Sequence, residues 1–104
     1  MELLPEPIAF EWDRANIDKN FVKHKVANRE TEEVFENNPK LILKDEKHSQ
    51  NEIRYALFGI TNNHRELFIV FTIKEDKVRV ISARDMSQRE RKFYGHEIKK
   101  HTQI

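Results

Sequence analysis

The chain has 104 residues, 36% of them charged and 38% hydrophobic, which fits one domain over residues 1–104 with a single modest core. It contains no cysteine, which excludes disulfides, thiolate catalysis and cysteine-based zinc sites. No apolar run approaches the ~20 residues of a membrane span, and Met1 to Pro7 lacks the basic and apolar regions of a secretion signal, so a cytoplasmic location without membrane association is expected. The net charge of +1 hides an asymmetry: residues 1–52 carry 8 Lys and Arg against 12 Asp and Glu, and residues 53–104 carry 11 against 6. A basic second half suggests a polyanionic ligand there.

Along the chain, Ile8–Trp12 reads as a short strand, with Asp13 placed to cap the helix after it. Ile17, Phe21 and His24 recur at helical spacing and predict a helix over about Arg14 to Lys25 with those residues turned inward. Asn28 can cap a second helix that carries Glu30, Glu32 and Glu33 near its positive end and buries Val34 and Phe35; Pro39 ends it after Asn37-Asn38. Three or four strands follow, Leu41–Lys44, Ile53–Ile60, Leu67–Ile73 and Val78–Ala83. The short polar connections Thr61–His64 and Lys74–Lys77 predict antiparallel hairpins. Leu67 to Phe71 is apolar on both faces, the mark of a central strand covered on both sides. A last helix runs from about Gln88 to His101, with Tyr94 and Ile98 packing it down and Ser87 and Glu90 forming a capping box at its start. The fold class is α+β.

The most informative stretch is Lys77 to Arg91. Strict alternation puts Val78, Val80 and Ser82 on one side of its strand and Arg79, Ile81 and Ala83 on the other. Arg79 and Arg84 sit on or near the strand, and Arg89 and Arg91 open the helix. Guanidiniums pair with phosphate through two parallel hydrogen bonds, so this grouping points to a phosphodiester ligand.

The ordered marks Phe10-Glu11-Trp12-Asp13, Lys23-His24 with Val26, and Glu33-Val34-Phe35 run through the first half. Asp45 with His48, Glu52-x-Arg54-Tyr55, Gly59, Arg79-x-Ile81-Ser82-Ala83-Arg84, Arg89-Glu90 and Tyr94 continue them. Together they make the chain resemble BrnT-type toxins over nearly its whole length. The resemblance implies a RelE-like fold: a short N-terminal strand, two helices, an antiparallel sheet of 3–4 strands and a C-terminal helix. It implies a ribonuclease from a type II toxin–antitoxin pair, inhibiting translation and growth. It also implies a BrnA-like ribbon-helix-helix antitoxin that covers the active surface and gives the complex its hold on operator DNA. One departure is Lys25, where the family usually has a glycine that would end the first helix with positive φ; lysine there predicts a different or strained helix end and an altered edge to the site.

Taken with the resemblance, Arg54, Arg79 and Arg84 are expected to converge on one phosphate from separate strands. His24, His48 and Glu52 are the candidates for proton transfer, with no choice among them, and Lys23, Arg89, Arg91 and Tyr94 are further candidates for RNA contact. Each has a plainer reading: strand arginines lying over apolar neighbours, a packed histidine at 24, a solvated loop at 48–52. His64 is expected at a hairpin surface. His96 and His101 are poorly spaced for a shared metal, and no ligand set appears, so neither metal nor cofactor is expected. The expected chemistry is metal-independent attack by the 2′-OH of RNA on the adjacent phosphate. Two other readings are a ParE-like gyrase inhibitor and an inactive binding module, since fold does not fix function.

Overall fold

A computed structural model describes residues 3–14 and 17–102, with the side chains of His101 and Thr102 outside the description. Strands β1 (Phe10–Glu11), β2 (Leu41–Lys44), β3 (Tyr55–Ile60), β4 (Glu66–Lys74) and β5 (Lys77–Asp85) form one sheet in the order β1-β5-β4-β3-β2. Helices α1 (Lys19–His24) and α2 (Asn28–Glu36) precede β2, and α3 (Gln88–Thr102) follows β5. The molecule is α+β, but its sheet has five strands rather than three or four: β2 to β5 are antiparallel, and β1 adds itself in parallel to the edge of β5.

β4 lies in the middle of the sheet, as its two-sided apolar sequence requires. Leu67, Ile69 and Phe71 are fully buried with Val26, Val34, Phe35, Leu57, Val78, Val80 and Ala83. Phe10 meets Phe35 edge-on at 5.2 Å, and Phe35 meets Phe71 at 5.0 Å, so α2 is pinned to the sheet by aromatic contacts. Phe68 faces the other way, into a second cluster of Phe58, Met86 and Tyr94 flanked by Ile98. The β4–β5 turn places Glu75 and Asp76 at φ 52° and 63°, the paired positive values of a hairpin whose twist matches its strands.

Strict alternation fails at one point in β5. Phe71 pairs with Val80 and Val70 with Ser82, so Ile81 is an extra residue, a β-bulge. Past it, Ala83 turns into the main core and Ser82 and Arg84 turn to the opposite side. The bulge therefore brings Arg84 onto the face that carries Arg79, where unbroken alternation would have separated them.

The first helix also departs from its pattern. It covers six residues, Asp18 rather than Asp13 stands at its N-cap position, and the expected start at Arg14 runs into residues 15 and 16, outside the description. Phe21 and Ile17 are 52% and 42% exposed rather than turned inward. α1 is held by polar side chains instead. Asn20, buried, accepts from the Ala83 N–H at 3.1 Å, and Lys19 donates to the carbonyl of the bulged Ile81 at 3.1 Å. These bonds satisfy the edge of β5 beyond the end of β1, a demand that apolar periodicity does not register. At α2 the N-cap position belongs to Ala27, whose N–H donates to Glu30 at 2.9 Å; Asn28 donates instead to the Ile17 carbonyl.

Candidate functional site

The side of the sheet away from α1 and α2 is covered at one end by α3 and is more open at the other. Pairing sets what lies there. Thr72 pairs with Arg79, and one step beyond the Tyr55–Phe71 pair Arg54 falls opposite Thr72, whose hydroxyl donates to the Ile53 carbonyl at 2.7 Å. Arg54 and Arg79 thus flank Thr72 on one row, their backbones about 10 Å apart across two strand spacings. Ala56, Val70 and Ser82 form the next row, small or short side chains that stay partly exposed. Phe58, Phe68 and Arg84 form the row after that, about 13 Å along the strands from the first.

The three arginines therefore share a face but not a pocket, a correction to the expected convergence. Arg79 holds Glu11 of β1 at 2.9 Å. Arg84 holds Glu90 through two bonds of 2.7 and 2.9 Å, while its guanidinium lies over the Phe68 ring at 4.4 Å. Arg54 has Glu52 at 4.0 Å, and its Nε is buried without a hydrogen-bond partner. The reason is local: each arginine lies within reach of a carboxylate, Glu11 on β1, Glu90 on α3, or Glu52 two residues back in its own loop.

A cavity of about 340 Å³ opens beside Arg54, lined by Lys47, His48, Gln50, Asn51, Glu52 and Arg54. A single 3₁₀ turn, Glu46–His48, shapes its wall, and Asp45 caps that turn through the His48 N–H. The same Asp45 carboxylate meets His48 Nδ1 at 2.9 Å, which orients the ring and leaves Nε2 as its other nitrogen. Ser49 completes the loop by accepting from the Arg54 N–H at 2.9 Å. His48, Glu52 and Arg54 are thus brought together as the loop reading anticipated.

His24 is elsewhere, at the far end of β5. Its carbonyl accepts from Arg65, and its ring belongs to the charges acting on Asp85. Arg65 is the residue that sequence reasoning missed. It donates to both oxygens of Asp85 at 2.7 and 3.0 Å, to Glu30 at 3.2 Å, and to the Lys25 carbonyl at 2.7 Å, joining α1, α2 and β5. No local signal marks it, because its partners are 20 to 41 residues away in sequence. The hydrogen bond from Arg65 holds the Asp85 carboxyl below its ordinary range, with help from Arg91 and His24. Arg84 does the same to Glu90, which also accepts from the Ser87 N–H; the capping box is complete, with Ser87 Oγ accepting from the Glu90 N–H at 3.1 Å.

Of the other candidates, Lys23 and Arg89 are exposed and Arg91 pairs with Glu66 at 3.3 Å. Tyr94 is buried, and its hydroxyl donates to the Pro39 carbonyl at 2.7 Å, so it holds α3 against the loop before β2. Burial pushes its phenol above the usual range. Among the described residues, no three histidine or carboxylate side chains are grouped to hold a metal ion, and no helix is long and apolar enough to cross a membrane.

The chain is thus an α+β domain with three arginines on one sheet face, each beside a carboxylate, and a cavity at residues 47–54 that joins histidine, glutamate and arginine. Its sequence matches, over residues 12–90, the family model described as the ribonuclease toxin BrnT of type II toxin–antitoxin systems. The chain belongs to that family, and such a toxin has a protein antitoxin as its partner. No curated protein matches the sequence closely enough for comparison.

Proposed function

We propose that the chain is a RelE-like endoribonuclease toxin that cuts RNA in the cytoplasm without a metal ion, halting translation and growth. The chemistry is assigned to the cavity at residues 47–54. The observation that carries this assignment is His48, held through Nδ1 by Asp45 at 2.9 Å in the same cavity as Glu52 and Arg54. Glu52 takes the proton of the 2′-OH, and the 2′ oxygen forms a bond to the adjacent phosphorus. The bond from phosphorus to the 5′ oxygen breaks, and His48 Nε2 delivers a proton to that leaving oxygen. The products are a 2′,3′-cyclic phosphate and a 5′-OH.

Arg54 and Lys47 face the charge that develops on the phosphate. An anion there would give the buried Arg54 Nε the acceptor it lacks. Arg79 binds a neighbouring phosphate after exchanging its exposed partner Glu11. Arg84, His24 and Tyr94 act by positioning: Arg84 fixes the start of α3, His24 and Arg65 fix the end of α1, and Tyr94 fixes α3 on the sheet. Lys23, Arg89 and Arg91 add long-range attraction for the polyanion.

The antitoxin is read as BrnA-like, with a ribbon-helix-helix domain that supplies the contact to operator DNA. Its neutralising segment is acidic and apolar, matched to the basic second half of this chain.

The test is cleavage of a defined RNA by purified protein in EDTA. Cyclic phosphate ends are expected, with rates lower by roughly 10²–10³-fold in Arg54→Ala, as for loss of one preorganised donor. His48→Ala is expected to be slower still, because a proton donor is lost outright. Cleavage that EDTA abolishes, or products with 3′-OH ends, would overturn the scheme.

A further inference from the structure

Phe93 lies on α3 and remains 40% exposed although its ring packs on Phe58 at 5.4 Å between centroids. Beneath it the aromatic band continues across the sheet: Phe58 meets Phe68 edge-on at 5.1 Å, and Arg84 lies over Phe68 at 4.4 Å. The band is fixed at its far end by the Arg84–Glu90 pair. Phe93 is thus an exposed aromatic ring on a rigid support rather than a mobile surface residue. One turn away on α3 it has Arg89 and Glu90 on one side and His96 and Glu97 on the other, with Glu90 already engaged by Arg84. Arg89, Phe93, His96 and Lys100 recur at the spacing of one helical stripe, with Lys92 beside them; Arg89, Lys92, Phe93, His96 and Lys100 are all exposed. One supported aromatic ring beside the exposed cations Arg89, Lys92 and Lys100 matches single-stranded RNA, whose backbone is anionic and whose bases offer flat faces.

We propose that Phe93 is a base-stacking platform for a nucleotide flanking the cut, and that Arg89 and Lys92 hold the phosphates beside it. The inference rests on the ribonuclease reading above and extends it to a second subsite. Arg54 immediately precedes β3 and Phe58 lies four residues further on, so the ring that supports Phe93 springs from backbone about 13 Å along the strand from Arg54. That is a few nucleotides at the ~3.4 Å rise of a stacked strand. The partly exposed row of Ala56, Val70 and Ser82 forms the floor between the two.

The experiment compares Phe93→Leu and Phe93→Trp with the unaltered protein on two substrates. One is a single-stranded RNA of about twelve nucleotides; the other is the same RNA trimmed to the nucleotides around the cut. Leucine keeps the apolar contact with Phe58 but removes the aromatic face, so a thermal melt separates folding from binding. On the long RNA, Phe93→Leu is expected to raise KM by roughly 5- to 100-fold with kcat and melting unchanged, as for loss of one stacked base. Phe93→Trp is expected to restore KM, and the trimmed RNA to be indifferent to both changes. An unchanged KM on the long RNA, with the unaltered protein cutting both substrates, refutes the platform and leaves the ribonuclease reading standing. Equal losses on both RNAs also refute it, as does weakened antitoxin binding with RNA KM unmoved, which would give the stripe to the protein partner. Failure of the unaltered protein to cut either RNA would instead refute the reading on which the inference rests.

Discussion

Lys25 closes α1 at φ 57° and ψ 34°, a left-handed conformation in which its N–H reaches the Phe21 carbonyl at 2.9 Å. A residue with a β-carbon gives up roughly 1–2 kcal/mol there, and glycine gives up none. The departure at this position predicts a different or a strained helix end, and the strained alternative is the one adopted. The outcome is that lysine adopts the glycine-like turn. Lys25→Gly is expected to raise stability by about 0.5–1 kcal/mol, because glycine's extra freedom in the unfolded chain offsets part of the relief. A higher urea midpoint with the same m-value and an unchanged cleavage rate is the expected result. A lower midpoint would mean that the lysine ammonium over the Phe21 ring, 5.6 Å from its centroid, outweighs the backbone strain. Acid response also belongs to single residues. Asp85 and Glu90 are held below their ordinary values of 3.8 and 4.5 by Arg65 and Arg84. Below those values the unfolded chain binds more protons than the folded one, so their contribution is complete at neutral pH and is lost as pH falls through the folded values. Asp85→Asn is expected to lower stability at neutral pH and flatten its decline as pH falls below the ordinary carboxylate value of 3.8, measured by urea unfolding down the acid limb. An unaltered acid limb would show that Arg65 adds nothing to the ionised carboxylate.

The packing of α2 on β3 turns on Gly59. A β-carbon there would lie 2.7 Å from Val34 Cγ1, and Val34 is fully buried and stiff about χ1 in a helix. Neither side can give way without moving α2 or the sheet. Gly59→Ala is expected to cost roughly 1–3 kcal/mol as overpacking, and Val34→Ala in the same chain to recover part of that loss. Chemical unfolding of the two single variants and the double variant measures the coupling; plain additivity would mean that the clash is not what the glycine avoids. At this scale the sequence was informative wherever apolar periodicity governed. The β4 strand, α2, the two hairpins and the capping box at Ser87 and Glu90 all stand near their expected positions. It was uninformative where polar side chains do the holding. α1 binds through Asn20 and Lys19 rather than through Ile17 and Phe21. The bulge at Ile81 left no local mark either, yet it decides which face Arg84 occupies.

For the molecule as a whole, the basic second half resolves into the cations of α3 and three sheet arginines, each already beside a carboxylate. The individual residues His48, Glu52 and Arg54 could be read as neighbours from one loop, but the separation of Arg79 from Arg84 depends on strand pairing that no single segment encodes. The ion pairs of Arg79 and Arg84 differ in how readily a phosphate can displace them. Arg79 and Glu11 are both substantially exposed, a class of pair worth about 0–1 kcal/mol, so exchange costs little. Arg84 is bound at two nitrogens by a carboxylate that Ser87 also fixes, and it rests on Phe68, so its exchange would dismantle the start of α3. The salt dependence of RNA affinity separates the two roles. For single strands the slope of log K against log salt falls by about 0.7 for each phosphate that is no longer neutralised. Arg79→Ala is expected to reduce the slope by that amount with little change in melting, and Glu11→Gln to strengthen binding by up to about fivefold by releasing the guanidinium. Arg84→Ala is expected to keep the slope and lower the melting temperature. If Arg84→Ala reduces the slope while Arg79→Ala does not, the bound RNA runs along the α3 end of the sheet, and Arg79 serves only to hold β1.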